Sequence, residues 1–439
     1  MIALRSKRVV ANGHVSPATV HVSNGRIERI GSYDEQPRTE VIDYANLVVM
    51  PGIVDSHVHV NEPGRTEWEG FVTATRAAAA GGITTIVDMP LNSIPPTTTV
   101  AALREKVDAM RGKLRVDVGL WGGVIPGNLR ELKPMLDEGA LGFKCFLVHS
   151  GVDEFPNVDE KELRAAAREL AKTGAPLLVH AELFNTEPSP RGEGSDYLTY
   201  LNSRPKEAED RAIELLLHVC EETGARIHIV HLSSANSLAT LRRARERKLR
   251  LTAETTPHYL HLEAEQIPPG RCEFKCAPPI REHANRERLW SGLEADLIDL
   301  IVSDHSPCTP HLKGADFMKA WGGISSVQFV LPIVWTEAQR RGHLMTHLTQ
   351  WLCEGPARLA GLRSKGSIAP GMDADFVVWS PEDSFVVEPS IIEHRHKVTP
   401  YAGERLNGVV HATWLRGERV FESREHIGEP RGQWLRRLP

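Results

Sequence analysis

The sequence predicts an α/β protein: a (β/α)8 barrel of the TIM type carrying a small β-sandwich domain built from both chain ends. Short apolar segments alternate with helical segments eight times through the middle of the chain. Both ends instead show the alternation and turns of antiparallel sheets. An open doubly wound sheet would place a glycine-rich phosphate loop after its first strand. Residues 57–65 read His-Val-His-Val-Asn-Glu-Pro-Gly-Arg instead, which favours the barrel.

The two ends are expected to combine into one β-sandwich domain, residues 1–50 plus 366–439, around a barrel domain of residues 51–365. Near the N-terminus, Asn24-Gly25 separates two alternating segments and predicts a tight hairpin. Residues 376–379 form an apolar run and residues 408–421 alternate again. These patterns predict short strands at both ends of the chain.

The barrel strands are predicted at residues 53–59, 84–88, 116–121, 141–146, 176–180, 226–231, 249–253 and 300–304. Helical periodicity is clearest at residues 68–80, 159–173, 208–222 and 236–247. Strands that alternate with helices pair in parallel through right-handed crossovers. The C-terminal ends of such strands meet at one mouth, where the functional groups of this fold lie.

Bulk properties restrict the possible partners. The chain has 439 residues, of which 41% are hydrophobic and 25% charged, with a net charge of −5. These values are typical of a soluble globular protein and give no reason to expect nucleic-acid or membrane partners. No apolar run approaches the roughly 20 residues that span a bilayer. The N-terminus does not read as a signal peptide, and the six cysteines contain no Cys-x-x-Cys pair. We therefore expect reduced thiols and a cytoplasmic location.

Metal-binding or titratable side chains lie at or near the C-terminal ends of five predicted strands. They are His57, His59, Lys144, His180, His231 and Asp304. Because residues two apart on a strand share a face, His57 and His59 can reach the same point. A single strand-end histidine is usually a hydrogen-bonded core residue, and a single aspartate is often a helix N-cap. Together in one mouth these groups would carry a large desolvation cost unless they bound divalent cations.

The lysine is the unusual member of this set. Burial lowers the pKa of a lysine, so that the neutral amine of Lys144 could add carbon dioxide. The resulting carbamate would be long enough to bridge two metals, whereas the structural alternative is a lysine that extends to the rim. Asp55 shares a face with the two histidines of the first strand and is a candidate to orient them. His228, three residues before His231, faces the other side and is interpreted as structural.

This set of residues resembles that of the cyclic amidohydrolases, a family that includes dihydroorotases, dihydropyrimidinases, hydantoinases and allantoinases. The resemblance runs along nearly the whole chain. It implies a binuclear centre, commonly zinc, with Lys144 carboxylated to N6-carboxylysine as the bridge. The other ligands would be His57, His59 and Asp304 for one ion, and His180 and His231 for the second. Such ligands also suit cobalt, manganese or nickel.

Within the family, residues 59–70, 88–98 and 142–156 are most similar to allantoinases. Asn61 stands where dihydroorotases have an arginine for a substrate carboxylate, which favours a neutral ring. His149 stands where dihydropyrimidinases and hydantoinases have a tyrosine. The resemblance therefore implies a small-molecule substrate, allantoin, hydrolysed to allantoate. A hydantoinase of broader ring preference and a non-catalytic barrel scaffold remain the alternatives.

The resemblance also implies individual roles. Asp304 would be the catalytic proton acceptor, and Asn92 and Asn61 would donate amide hydrogen bonds to the ring. Gly323 would let the backbone approach the substrate. Ala277 stands before a double proline where many relatives have a serine. The change would be harmless if the contact with the substrate runs through the backbone, and it would weaken substrate binding if the contact runs through a hydroxyl. The family resemblance further implies a homo-oligomer, a tetramer.

Overall fold

The computed structural model of the protein describes residues 1–185 and 192–437. The strands are β1 (Ile2–Ala11), β2 (His14–Ser23), β3 (Arg26–Ser32), β4 (Glu40–Asp43), β5 (Val48–Pro51), β6 (Ile53–Val58), β7 (Ile83–Asp88), β8 (Asp117–Leu120), β9 (Gly122–Gly123), β10 (Phe143–Phe146), β11 (Pro176–His180), β12 (Arg226–Ile229), β13 (Leu251–Thr255), β14 (Leu300–Ile301), β15 (Phe376–Val386), β16 (Arg405–Leu415), β17 (Glu418–Glu422), β18 (Glu425–His426) and β19 (Trp434–Leu435).

The α-helices are α1 (Phe71–Ala80), α2 (Val100–Met110), α3 (Leu129–Glu138), α4 (Glu160–Ala171), α5 (Tyr197–Ser203), α6 (Lys206–Thr223), α7 (Leu238–Glu246), α8 (Pro257–His261), α9 (His283–Glu294), α10 (Val330–Arg340), α11 (Met345–Thr349) and α12 (Gly355–Ala360). Helix α4 is an example of how the local sequence specifies a helix. Asp159 caps its first turn, and Leu163 and Leu170 lie on its buried face. Among the described helices, none is both long enough and apolar enough to cross a bilayer.

Parallel strands form the centre of the molecule in two runs, β6-β7-β8 and β9-β10-β11-β12-β13-β14. Only Trp121 separates β8 from β9. A parallel bridge joins Val58, at the end of β6, to His305, just after β14. The His59 N–H donates to the His305 carbonyl at 2.8 Å, which brings the first and last strands together. The predicted alternation of strands and helices is confirmed, and the strand predicted at residues 176–180 coincides with β11.

A second sheet has nine strands from both chain ends, in the order β18-β17-β16-β15-β5-β1-β2-β3, with β4 paired to β1. The predicted hairpin is confirmed, because Asn24 and Gly25 connect β2 and β3 with φ angles of +50° and +76°. Leu4, Phe376 and Trp414 belong to one buried cluster, so strands from both ends share a core. Strand β19 pairs with β8 in the parallel part.

A buried cluster of charges joins the two sheets. The Lys365 ammonium donates to Asp117 on β8 at 2.7 Å and to Asp375, just before β15, at 2.6 Å. Arg416, directly after β16, donates to the same Asp117 carboxylate. Burial opposes the charge on Lys365, yet the three carboxylates around it raise its pKa. The ammonium therefore stays charged and fastens the nine-stranded sheet to the parallel strands.

Candidate metal centre

The C-terminal ends of the parallel strands surround one cavity. All six predicted ligands line it: His57, His59, Lys144, His180, His231 and Asp304. Leu91, Phe146 and Trp321 contribute apolar wall. Each of the six ligands is at least nine-tenths buried. The sequence therefore located a set of polar side chains that the fold brings together from five separate strand ends.

Three of these residues form a group that could hold a metal ion. Ligand atoms of His57, His59 and Asp304 all lie within 4.8 Å of one another. The Asp304 Oδ1 atom is 3.2 Å from Nε2 of His57 and 3.5 Å from Nε2 of His59. In the described part of the chain, the buried Nε2 atom of His57 has no hydrogen-bond partner. Two imidazole nitrogens and a carboxylate oxygen around one point are a donor set that suits a divalent cation.

A second pair of nitrogens lies on the other side of the cavity. Nδ1 of His180 is 3.1 Å from Nε2 of His231, and the two rings meet edge to face. The Phe146 ring stacks on His180 with centroids 4.7 Å apart. The Lys144 ammonium lies 5.0 Å from the centroid of that same Phe146 ring. Lys144 is therefore inside the cavity rather than at its rim, with its side chain fully buried.

Burial sets the protonation of these groups. It lowers the pKa values of His57 and His231 well below the usual range, and it also lowers the pKa of His180. Burial lowers the pKa of Lys144 to about 8. Neutral imidazoles have the free lone pair that a metal requires. A lysine with this pKa has a substantial neutral fraction at physiological pH, which is the form that reacts with carbon dioxide.

Two of the ligands lie where the backbone leaves a strand. His231 has a φ of +38° and Asp304 a φ of +44°. Positive φ is costly for residues other than glycine and is concentrated at functional sites. The strands predicted to extend to residues 231 and 304 end earlier, at Ile229 and Ile301. The turn at each ligand explains the difference, because a residue in the left-handed region cannot continue a strand.

Two buried carboxylates that the sequence analysis did not single out support the histidines. Glu254 accepts from Nδ1 of His57 at 2.5 Å and from Nε2 of His228 at 3.0 Å. Glu182 accepts from Nε2 of His180 at 2.7 Å. The available signals were a glutamate directly after the strand predicted at residues 249–253 and another glutamate two residues after His180.

Asp55, expected to orient the histidines of the first strand, contacts backbone groups instead. Its Oδ1 atom accepts the backbone N–H of His57 at 3.2 Å and of Ser303 at 3.1 Å. Asp55 therefore ties the first strand to the last through their backbones and does not contact the imidazoles of His57 or His59 by hydrogen bonds. Burial raises its pKa to about 7.

The predicted substrate residues divide into two groups. Asn92, Ala277 and Gly323 line the cavity. A Cβ atom at Gly323 would lie 2.2 Å from the Ser306 carbonyl oxygen, so only glycine fits this close approach. Asn61 is fully buried, lies outside the set of lining residues, and donates to the Pro307 carbonyl at 3.3 Å. Its contact with a substrate stays a prediction.

Known proteins resemble this chain along its whole length. The profile described as "Amidohydrolase family" matches residues 48–420. The chain is 50% identical to an allantoinase of Streptomyces avermitilis, covering 100% of this chain and 99% of that protein. It is 44% identical to an allantoinase of Arabidopsis thaliana, covering 98% and 90%. Among solved structures, an L-hydantoinase (dihydropyrimidinase) from Arthrobacter aurescens superposes with a TM-score of 0.92 at 30% identity, covering 99% of both chains.

Proposed function

The chain belongs to the amidohydrolase family, and we propose that it is an allantoinase that hydrolyses the cyclic amide of allantoin to give allantoate. The observation that carries this proposal is the group of His57, His59 and Asp304 in one cavity with the other predicted ligands. The identity of 50% to a curated allantoinase over the whole chain supports the substrate. The resemblance to a hydantoinase at 30% identity makes a hydantoinase of broader ring preference the second candidate.

The proposed architecture is a closed (β/α)8 barrel of residues 51–365 with a composite β-sandwich domain of residues 1–50 and 366–439. The parallel bridge between Val58 and His305 supports closure of the barrel. The shared sheet of strands from both ends supports the composite domain. A cytoplasmic location and a homotetramer complete the proposal; the tetramer rests on the family resemblance alone.

We propose two divalent ions per chain, zinc first, with cobalt, manganese and nickel as alternatives that suit the same ligands. Lys144, as N6-carboxylysine, would bridge them. His57, His59 and Asp304 would complete the ligands of one ion, and His180 and His231 those of the other. The buried and unpartnered Nε2 of His57 supports the first position, and the 3.1 Å approach of His180 to His231 supports the second.

The chemistry proposed for the bound ions is to lower the pKa of a water molecule and to polarise the ring carbonyl. Asp304, whose Oδ1 atom lies 3.2 Å from Nε2 of His57 and 3.5 Å from Nε2 of His59, would accept the proton of the attacking water. It would then deliver that proton to the departing ring nitrogen. The apolar wall of Leu91, Phe146 and Trp321 would limit the entry of further water.

Asn92 is the proposed polar anchor of the ring, with Ala277 and Gly323 offering backbone groups and Asn61 a second amide. The amide of Asn92 is 3.4 Å from Nδ1 of His59. A His59 that binds an ion through Nε2 carries its proton on Nδ1 and needs an acceptor there. We therefore propose that the Asn92 carbonyl faces His59 and that its NH2 group faces the substrate.

The test is hydrolysis of allantoin by the purified protein, with the metal content of the same sample measured by mass spectrometry. The proposal expects allantoin to be preferred to dihydrouracil and to simple hydantoins, and about two ions per chain. Asp304→Asn should abolish turnover, whereas Asp153→Asn, the same change at a fully exposed carboxylate, should not. Preference for simple hydantoins would select the second candidate. Absence of hydrolysis of every cyclic amide in the metal-loaded protein would contradict both.

A further inference from the structure

The two buried carboxylates behind the ligand histidines differ in what neutralises them. Glu254 accepts from two imidazoles and, at 3.4 Å, from the backbone N–H of His231. In the described residues, no lysine or arginine nitrogen lies within 4.0 Å of it. Glu182 is paired with Arg204, whose Nε atom donates to Oε1 at 3.0 Å and whose Nη2 atom donates to Oε2. Both glutamates are fully buried. One histidine of the centre thus faces a carboxylate with no fixed positive charge, and another faces a carboxylate already paired with a cation.

The hydrogen bonds around Glu254 determine which nitrogens carry protons. Its two oxygens can only accept, so Nδ1 of His57 and Nε2 of His228 must both donate. Nδ1 of His228 then accepts from the Thr252 hydroxyl at 2.8 Å. This chain leaves the lone pair of His57 on Nε2, the atom 3.2 Å from Asp304. The arrangement therefore fixes both the tautomer of His57 and the direction of its free nitrogen.

The same contact affects how strongly His57 donates to a cation. A histidine whose second nitrogen donates to a carboxylate is a more basic ligand than one that donates to a neutral acceptor. The effect is larger when the carboxylate keeps its full charge in a buried environment. Arg204 reduces the effect of Glu182 on His180, whereas no lysine or arginine among the described residues pairs with Glu254. In addition, a buried Glu254 without a cation is costly, and an ion on the far side of His57 relieves that cost.

We propose that Glu254, backed by His228 and Thr252, is a positioning residue that makes the ion on the His57 side the more tightly held of the two. Glu182, neutralised by Arg204, supports the looser ion on the His180 side. This inference rests on the binuclear centre of the proposed function. It assigns to His228, interpreted from the sequence as structural, a place in the chain of hydrogen bonds that orients a ligand.

The experiment measures zinc retention rather than activity. Fully loaded protein is dialysed against buffers of graded free zinc concentration, and ions per chain are counted by mass spectrometry. The wild type should lose its two ions in two separate steps. In Glu254→Gln the tighter ion should be half lost at a free zinc concentration about 10- to 100-fold higher than in the wild type. In Glu182→Gln the free zinc concentration at which the looser ion is half lost should rise instead. The concentration for the tighter ion should be unchanged.

Two further variants separate positioning from general destabilisation. Glu337→Gln makes the same change at a buried glutamate that accepts from His261 outside the cavity, and it should leave both zinc steps unchanged even if it lowers the Tm. His228→Gln leaves Glu254 in place and removes one imidazole behind it. This variant should raise the free zinc concentration at which the tighter ion is half lost, as Glu254→Gln does, but by a smaller factor. It also tests the inference if Glu254→Gln does not fold.

The outcomes distinguish this inference from the proposal on which it rests. A wild-type chain that binds fewer than two ions overturns the binuclear centre, and the ranking of two ions with it. A wild-type chain that binds two ions, with the tighter step unmoved in both Glu254→Gln and His228→Gln, overturns this inference alone. The inference is equally overturned if Glu182→Gln moves the tighter step and Glu254→Gln moves the looser one.

Discussion

The buried amine of Lys144 leads to a quantitative prediction about activation. Burial lowers its pKa to about 8. A lysine with the ordinary pKa of about 10.4 is about 0.04% neutral at pH 7, whereas a pKa of about 8 makes about 9% neutral. Only the neutral amine can attack carbon dioxide, forming the carbamate and releasing a proton. At pH 7 the reactive fraction of Lys144 is therefore about 200-fold larger than that of an exposed lysine.

To test this prediction, metal and carbon dioxide are removed from the protein, and zinc is then restored with or without bicarbonate. The rate at which allantoin hydrolysis recovers is followed between about pH 6.5 and 9.5 at a fixed concentration of dissolved carbon dioxide. Since the neutral fraction rises with pH until the pKa is passed, recovery should accelerate about tenfold per pH unit below 8 and level off above it. Lys144→Arg is the control, because its guanidinium stays charged and cannot form the carbamate.

Two results would contradict activation through the neutral amine of Lys144. Full recovery at the same rate without bicarbonate would remove carbamate formation from activation. A recovery rate that still rises tenfold per unit between about pH 8.5 and 9.5 would show that the amine keeps an ordinary pKa and that burial does not prepare it.

Three further predictions follow from single contacts. Asp304→Asn should lower kcat by at least about 100-fold, measured on allantoin, with an unchanged fold by circular dichroism; a loss below about tenfold would remove Asp304 as the proton acceptor. Asn92→Ala should raise KM for allantoin by about 10-fold or more, because a buried amide contact worth about 1–3 kcal/mol is lost; an unchanged KM would place the ring elsewhere. Lys365→Met should cost about 3–5 kcal/mol in urea unfolding, since it leaves Asp117 and its neighbours buried without their ammonium. Lys319→Met, at an 86% exposed lysine, is the control and should change stability by less than about 0.5 kcal/mol; equal losses in the two lysine variants would contradict the role of the cluster.

The fold was predictable where a local pattern decides the structure. Apolar runs separated by amphipathic helices specified the alternation, and the strand predicted at 176–180 has the bounds of β11. Asn24-Gly25 specified a hairpin because both residues accept positive φ. Prediction failed at strand exits, where the strands leading to His231 and Asp304 end two or three residues before these ligands. Hydrophobicity does not record such backbone turns.

The candidate site was predictable to the extent that it follows from strand ends. The rule that functional groups lie at the C-terminal ends of barrel strands was enough to select six side chains that line one cavity. Asn61 is buried beside the Pro307 carbonyl and lies outside the set of cavity-lining residues, and its contact with a substrate stays a prediction. Only the packing around such a residue determines where its side chain points, and no local sequence pattern records that packing.

The sequence by itself determined the order of strands and helices, the pairing of both chain ends in one β-rich part, and which residue types stand at the strand ends. These properties depend on the spacing of apolar residues and on neighbours within a few positions. The tertiary structure alone decided how the histidines are held and charged. Glu254 meets His57 across 197 positions of sequence, and Arg204 neutralises Glu182 but no such cation meets Glu254 in the described residues. Burial and contacts between distant segments set tautomers and pKa values, and neither is encoded in a local pattern.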